Sequence, residues 1–149
     1  MGLSSLNRLY MTLITEHSKH PHHFGQLEGV KAIQLNNPTC GDVISLTVQV
    51  TEGVITDIAF SGHGCAISTA SASMMTDAVL NKTIKEAQDL GLLFSEMVQG
   101  QSDGSVDELG DAAMMAGVAQ FPQRIKCATL SWNALKEALA PSNNLKTLD

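Results

Sequence analysis

Cys40, Cys65 and Cys127 are the residues best equipped for chemistry in this chain, because thiols are its softest ligands and its strongest latent nucleophiles. They are odd in number and widely spaced, with no CxxC pair, which makes a poor disulfide framework. Three such thiols can be buried apolar fillers, a metal site, or a nucleophile with its helpers. Each falls at a junction between expected elements. Cys40 lies in Asn37-Pro38-Thr39-Cys40-Gly41-Asp42, a turn between two strands. Cys65 follows Gly62-His63-Gly64 and precedes a helix rich in small residues, and Cys127 follows Arg124-Ile125-Lys126 in the opening turn of the last helix. Helix N-termini offer free N–H groups and the positive end of the macrodipole, which favours a thiolate there. Glycines flank Cys40 and Cys65, letting backbone approach a bound ion or partner closely.

Asp42 stands two residues after Cys40, and in extended backbone the i and i+2 side chains point the same way. A thiolate and a carboxylate can then bite one ion together. With Cys65 and Cys127 added, three thiolates and one carboxylate make a four-coordinate zinc donor set. Such a set is anionic overall, and Arg124 and Lys126 beside Cys127 offset it. A guanidinium has no lone pair to give a metal, so Arg124 orients the site or meets a partner. Lys126 guides an anionic sulfur species or balances charge. His63 is the one motif-adjacent base for a plain cysteine hydrolase, or a substitute ligand; with the donor set full it reads as a solvated loop residue. His20, His22 and His23 crowd around Pro21, but their spacing matches neither a helical i, i+4 pair nor a zinc finger, and they too read as a solvated loop.

The elements that must position these groups follow from periodicity. Leu6, Leu9, Tyr10, Leu13, Ile14 and His17 form one stripe of a helix from Leu3 to about His20, which Pro21 ends. The period then changes to two. Ile33 and Leu35 mark a first strand; Ile44, Leu46, Val48 and Val50 a second; Val54 to Phe60 a third, after the turn Thr51-Glu52-Gly53. Sequential strands with tight connections predict an antiparallel meander with one face solvated. Helices follow: Ala66–Leu80, then Thr83 to about Gln99 behind a Thr83-x-x-Glu86 capping box, Val106–Ala119 with Pro122 as a stop, and Ile125–Leu139. Met74, Met75, Met114 and Met115 read as core, and Asp103, Asp107, Glu108 and Asp111 as a solvated face. The fold class is therefore α+β, a three-stranded antiparallel sheet with helices packed on one face, as a single domain over residues 1–149.

Composition agrees and excludes several functions. The 149 residues are 44% hydrophobic and 16% charged, within the globular range. The net charge of −6 argues against nucleic acid, since phosphate neutralisation needs a clustered basic surface. No apolar run approaches the roughly 20 residues of a membrane span and no signal peptide opens the chain, so a soluble cytoplasmic protein is expected.

Three blocks carry a family resemblance. Asn36-Asn37-Pro38-Thr39-Cys40-Gly41-Asp42, Gly62-His63-Gly64-Cys65-Ala66-Ile67-Ser68-Thr69-Ala70-Ser71 and Arg124-Ile125-Lys126-Cys127-Ala128-Thr129-Leu130-Ser131-Trp132 resemble the three cysteine blocks of the IscU/NifU-N family of iron–sulfur cluster assembly proteins. Leu9-Tyr10 and Glu16-His17 through Pro21 resemble the family's first helix, so the likeness runs from about Ser5 to Leu139. Within the family, housekeeping scaffolds carry a His before the third cysteine and a Leu-Pro-Pro-Val-Lys chaperone motif upstream. Here Lys126 takes the first place, the motif is missing, and roughly 20 residues, about Gln99 to Gln120, are inserted. These departures resemble the SufU branch of zinc-dependent sulfurtransferases.

The resemblance implies zinc held by Cys40, Asp42, Cys65 and Cys127, with Cys40 accepting sulfur from a PLP-dependent, SufS-like cysteine desulfurase and passing it to downstream Suf assembly proteins. The alternative that the family implies is a scaffold on which a [2Fe–2S] cluster is assembled on the same four residues, with iron or the cluster carried transiently.

Overall fold

The structure, a computed structural model, describes residues 2–38, 41–101 and 105–140, with side chains from residue 11 onward. Its order is α1 (Gly2–Lys19), β1 (Ile33–Asn37), β2 (Asp42–Thr51), β3 (Val54–His63), α2 (Ala66–Val79), α3 (Ile84–Val98), a 3₁₀ segment (Asp107–Gln120) and α4 (Pro122–Ala138). The expected α+β class holds: the three strands pair antiparallel in the order β1-β2-β3. Ile33 lies opposite Leu46 and Asn37 opposite Asp42, while Leu46 faces Phe60 and Val43 faces His63. The β2–β3 turn places Glu52 at φ +53° and Gly53 at φ +79°, the pair of positive angles of a type I′ hairpin whose twist matches the strands.

Burial explains which face the helices take. Ile44, Leu46 and Val48 alternate inward along β2 and meet Ile58 and Phe60 of β3, all buried. Above them α2 and α4 supply Ala70, Met74, Met75, Leu130, Trp132 and Leu135. Residues Ser68, Ser71 and Ser73 of α2 are buried too, small enough to let helices approach closely. Ser71 uses that closeness: its hydroxyl donates to the Ala128 carbonyl of α4 at 2.6 Å. This bond clamps the helix that begins after Cys65 to the helix that carries Cys127. Phe94 of α3 stacks on Trp132 at 4.6 Å between centroids, extending the core outward. Met115 is buried and Met114 half-buried, so the methionines pack as expected.

Four expectations change in detail. The second face of the sheet is partly covered, because residues 23–25 pair with the outer edge of β3 and the chain then reaches Thr47 of β2 at Leu27. Phe24 bridges Phe60 in parallel, and the Leu27 N–H donates to the hydroxyl of Thr47, which is buried although it points away from Leu46. Strand β3 continues through Gly62 and His63, beyond the apolar alternation, because backbone pairing with Val43 and Ile44 extends it. The segment after Val106 is a 3₁₀ run broken at Gly110 (φ +61°), where an α-helix was expected; Leu109, Ala112, Met115 and Val118 pin it to the core. Pro122 opens α4 where a stop was expected, since a first-turn proline sacrifices no helical N–H bond. Among the described residues no helix is long and apolar enough to cross a membrane.

Replacing Ser71 with Ala removes the clamp between α2 and α4 without changing either helix. The expected loss is about 1 kcal/mol, the net value of one buried hydrogen bond, read from the midpoint shift in a urea titration.

Candidate functional site

Asp42 is the first residue of β2 and has no exposed surface. Its Oδ1 accepts the backbone N–H of Cys65 at 2.9 Å, so a strand end and a helix start are tied through one carboxylate. Gly64 makes this possible. A Cβ there would lie 2.4 Å from Asp42 Oδ1, so the glycine next to Cys65 makes room for a carboxylate that belongs to the site. Oδ2 of the same carboxylate is buried and has no hydrogen-bond partner among the described residues. A buried carboxylate oxygen left unpaired is costly, and a bound cation is one partner that compensates it.

Cys65 is the N-cap of α2, and its Sγ accepts the Ser68 N–H at 3.4 Å, the helix-start placement expected from sequence. Cys127 is fully buried, but it lies in the second turn of α4 because the helix begins at Pro122. The opening-turn argument therefore holds for Cys65 and fails for Cys127, whose location is set by packing. The ligand atoms of Asp42, Cys65 and Cys127 all lie within 4.8 Å of one another. Donor–donor edges around tetrahedral zinc are about 3.3–3.8 Å for bonds of 2.0–2.3 Å, so a shift of roughly 1 Å closes the set. Two thiols and a carboxylate of this kind fit a divalent soft-to-borderline ion.

Cys40 lies outside the described residues. The premise of extended backbone beside it changes, because Gly41 adopts φ +76° and its N–H donates to the Asn37 carbonyl at 2.8 Å, closing a turn. Arg124 and Lys126 sit exposed in the first two turns of α4, flanking the buried Cys127 on the solvent side, and His63 is exposed at the end of β3. Asp103 also lies outside the described residues, while Asp107 and Glu108 are exposed as expected.

A second cluster escaped the sequence reading. His17 is only 3% exposed. Its Nδ1 lies 2.7 Å from Ser73 Oγ, and its Nε2 lies 3.0 Å from Asp111 Oδ2. His22 Nδ1 meets Asp77 Oδ2 at 2.5 Å, and His23 Nδ1 meets Thr76 Oγ1 at 2.9 Å. The loop histidines are thus partnered by α2, and Asp111, expected on a solvated face, anchors the 3₁₀ segment to α1. The signal available in sequence was His17 itself, a polar residue on an apolar stripe. Its partners lie 56 and 94 residues away, beyond any local pattern.

The chain matches the NifU-like N terminal domain over residues 9–140. It is 64% identical over 148 residues to an iron–sulfur cluster assembly scaffold protein IscU of Streptococcus pyogenes serotype M1, covering 99% of this chain and 93% of that one. It is 46% identical over 138 residues to the zinc-dependent sulfurtransferase SufU of Bacillus subtilis, covering 92% and 93%. The crystal structure of an iron–sulfur cluster assembly scaffold protein for the SUF system from Fervidobacterium islandicum superposes with a TM-score of 0.81 at 33% identity, covering 85% and 93%.

Gly64→Ala forces its methyl group onto the Asp42 carboxylate and is expected to cost about 2 kcal/mol in a denaturant titration. Gly91→Ala is the control, since its Cβ meets only Trp132 Cε3 at an ordinary 3.8 Å in the interior of α3. It should be neutral or stabilising by up to about 1 kcal/mol.

Proposed function

Since the chain belongs to the NifU-like N terminal domain family, we propose that it serves iron–sulfur cluster biogenesis as a zinc-dependent sulfur acceptor, with Cys40, Asp42, Cys65 and Cys127 as the zinc ligands. The observation that carries this reading is the Asp42 carboxylate, held at one oxygen by the Cys65 N–H and left unpaired at the other beside two thiols. Zinc bound there would keep the thiols deprotonated while adding no redox chemistry of its own.

The roles of the residues differ with their anchoring. Cys127 is fixed within a helix and Cys65 at a helix start, so both suit permanent ligation. Cys40 is next in sequence to Gly41, whose φ of +76° departs from extended backbone, and on this reading it is the ligand of the set that leaves and returns. Asp42 is a hard donor among soft ones, and the hydrogen bond from the Cys65 N–H to its Oδ1 keeps it in place while a thiolate departs. In the transfer, the Cys40 thiolate attacks the terminal sulfur of a persulfide on a cysteine desulfurase. The desulfurase S–S bond breaks, its cysteine leaves as a thiolate, and Cys40 becomes the persulfide, with no net oxidation. Lys126 and Arg124, both exposed and close in sequence to Cys127, would attract an anionic persulfide and its carrier. Downstream Suf assembly proteins would then receive the sulfur. The 46% identity to SufU supports this branch.

A second reading has its own support. The relative at 64% identity bears the name of an IscU scaffold, and on that reading the same four residues hold a [2Fe–2S] cluster during assembly. Metal analysis of protein purified without added metal separates the two. About one zinc per chain supports sulfur acceptance, whereas iron with acid-labile sulfide supports the scaffold. Incubation with a desulfurase and free cysteine, followed by alkylation, should place one added sulfur mass on the Cys40 peptide. Sulfur found mainly on Cys127 overturns the assignment of the acceptor.

Within the leading reading, Asp42→Ala should keep most of its zinc, because the thiolates supply most of the binding, yet lose roughly tenfold or more in sulfur uptake. Uptake equal to that of the unaltered protein would make the carboxylate incidental.

A further inference from the structure

We propose that His17, His22 and Asp77 form a second metal site, taking one borderline divalent ion, zinc or ferrous iron, where the end of α1 meets the end of α2. The inference does not depend on the function proposed above. Asp77 lies twelve residues after Cys65 on the same helix, so the two clusters sit about 18 Å apart along its axis.

The ligand atoms of these three residues already lie within 4.8 Å of one another, as close as those of the cysteine cluster. Two imidazoles and a carboxylate suit zinc, and the same triad with open positions suits ferrous iron. The surroundings are arranged as they are behind ligating histidines. Asp111 accepts from His17 Nε2, which leaves the Nδ1 lone pair pointing the other way. Nδ1 now meets the Ser73 hydroxyl, and that hydroxyl also accepts the His22 backbone N–H at 2.7 Å, holding the second histidine beside the first. The two rings lie 4.6 Å apart between centroids.

Charge agrees with geometry. One carboxylate leaves a dipositive ion half neutralised, and Asp111 behind His17 supplies the second negative charge. No Lys or Arg pairs with Asp77 or Asp111 among the described residues; their partners are His17, His22 and His23. His22 Nδ1 and Asp77 Oδ2 now bond each other directly, so both groups already face one another beside His17. His17 is deeply buried while His22 and Asp77 are 51% and 37% exposed, so an ion can enter from solvent and reach a preformed inner ligand.

The test compares the full chain, free of any affinity tag, with His22→Ala and Asp77→Asn. Both positions are partly exposed, so neither change should disturb folding, and circular dichroism checks this. Equilibrium dialysis against zinc, and separately against ferrous iron without oxygen, is followed by metal quantification. The unaltered chain should bind one equivalent more than either variant, or bind that equivalent at least tenfold more tightly. Because the readout is a difference of one equivalent, it holds whatever the cysteines bind. Cobalt as a probe should show that equivalent without a thiolate-to-cobalt charge-transfer band. A difference confined to zinc or to iron assigns the ion. Equal uptake of both metals by all three proteins overturns the site and leaves a hydrogen-bonded tie between α1, α2 and the 3₁₀ segment.

Discussion

A single buried carboxylate sets the organisation of this molecule around its cysteines. Asp42 sits at the start of β2 with no exposed surface, and its Oδ1 ends in the N–H of Cys65 at the start of α2. Removing a carboxylate from water is expensive unless hydrogen bonds and a counter-charge replace hydration. One oxygen has its hydrogen bond; the other waits beside two thiols. The neighbouring features accommodate that demand. Gly64 vacates the space the carboxylate fills, and Gly62, whose Cβ would lie 2.0 Å from the Val43 carbonyl, lets β3 run close enough to β2 to deliver Cys65.

The helices complete the arrangement by packing. Cys127 arrives from α4, more than sixty residues beyond Cys65 in sequence, because α4 lies across β1 and β2 while α2 lies beside it. The Ser71–Ala128 bond and the small buried residues of α2 hold the two helices at that separation. A larger α2 face would push α4 away and open the cluster. Core geometry and site geometry are therefore one constraint: the small-residue stripe of α2 serves the thiols as much as the core.

The far end of α2 follows different physics. There the ligating groups are nitrogen and oxygen, the histidines come from α1 and the loop after it, and the supporting carboxylate comes from the 3₁₀ segment. That segment, Asp107–Gln120, does more than lengthen a connection. Leu109, Ala112, Met115 and Val118 bury one side of it, and Asp111 reaches from it to a histidine of α1. This stretch thus ties to the first helix through Asp111 and His17.

Much of the fold was legible in local pattern, because periodicity records which side of an element is buried. The alternation at Ile44, Leu46 and Val48, the Glu52-Gly53 turn and the Thr83–Glu86 capping box each predict their own backbone. The three cysteine blocks were also readable, since a motif of residue types survives without coordinates. Distance and environment were not. That Asp42 has one oxygen satisfied and one orphaned, and that Gly64 serves a carboxylate, both depend on neighbours remote in the chain. The histidine cluster shows the limit most clearly. His22 and His23 look solvated in sequence because the residues that bond them, Thr76 and Asp77, come from a helix more than fifty positions later. Residue type and spacing constrain local backbone; contacts between distant segments exist only once packing has chosen which faces meet.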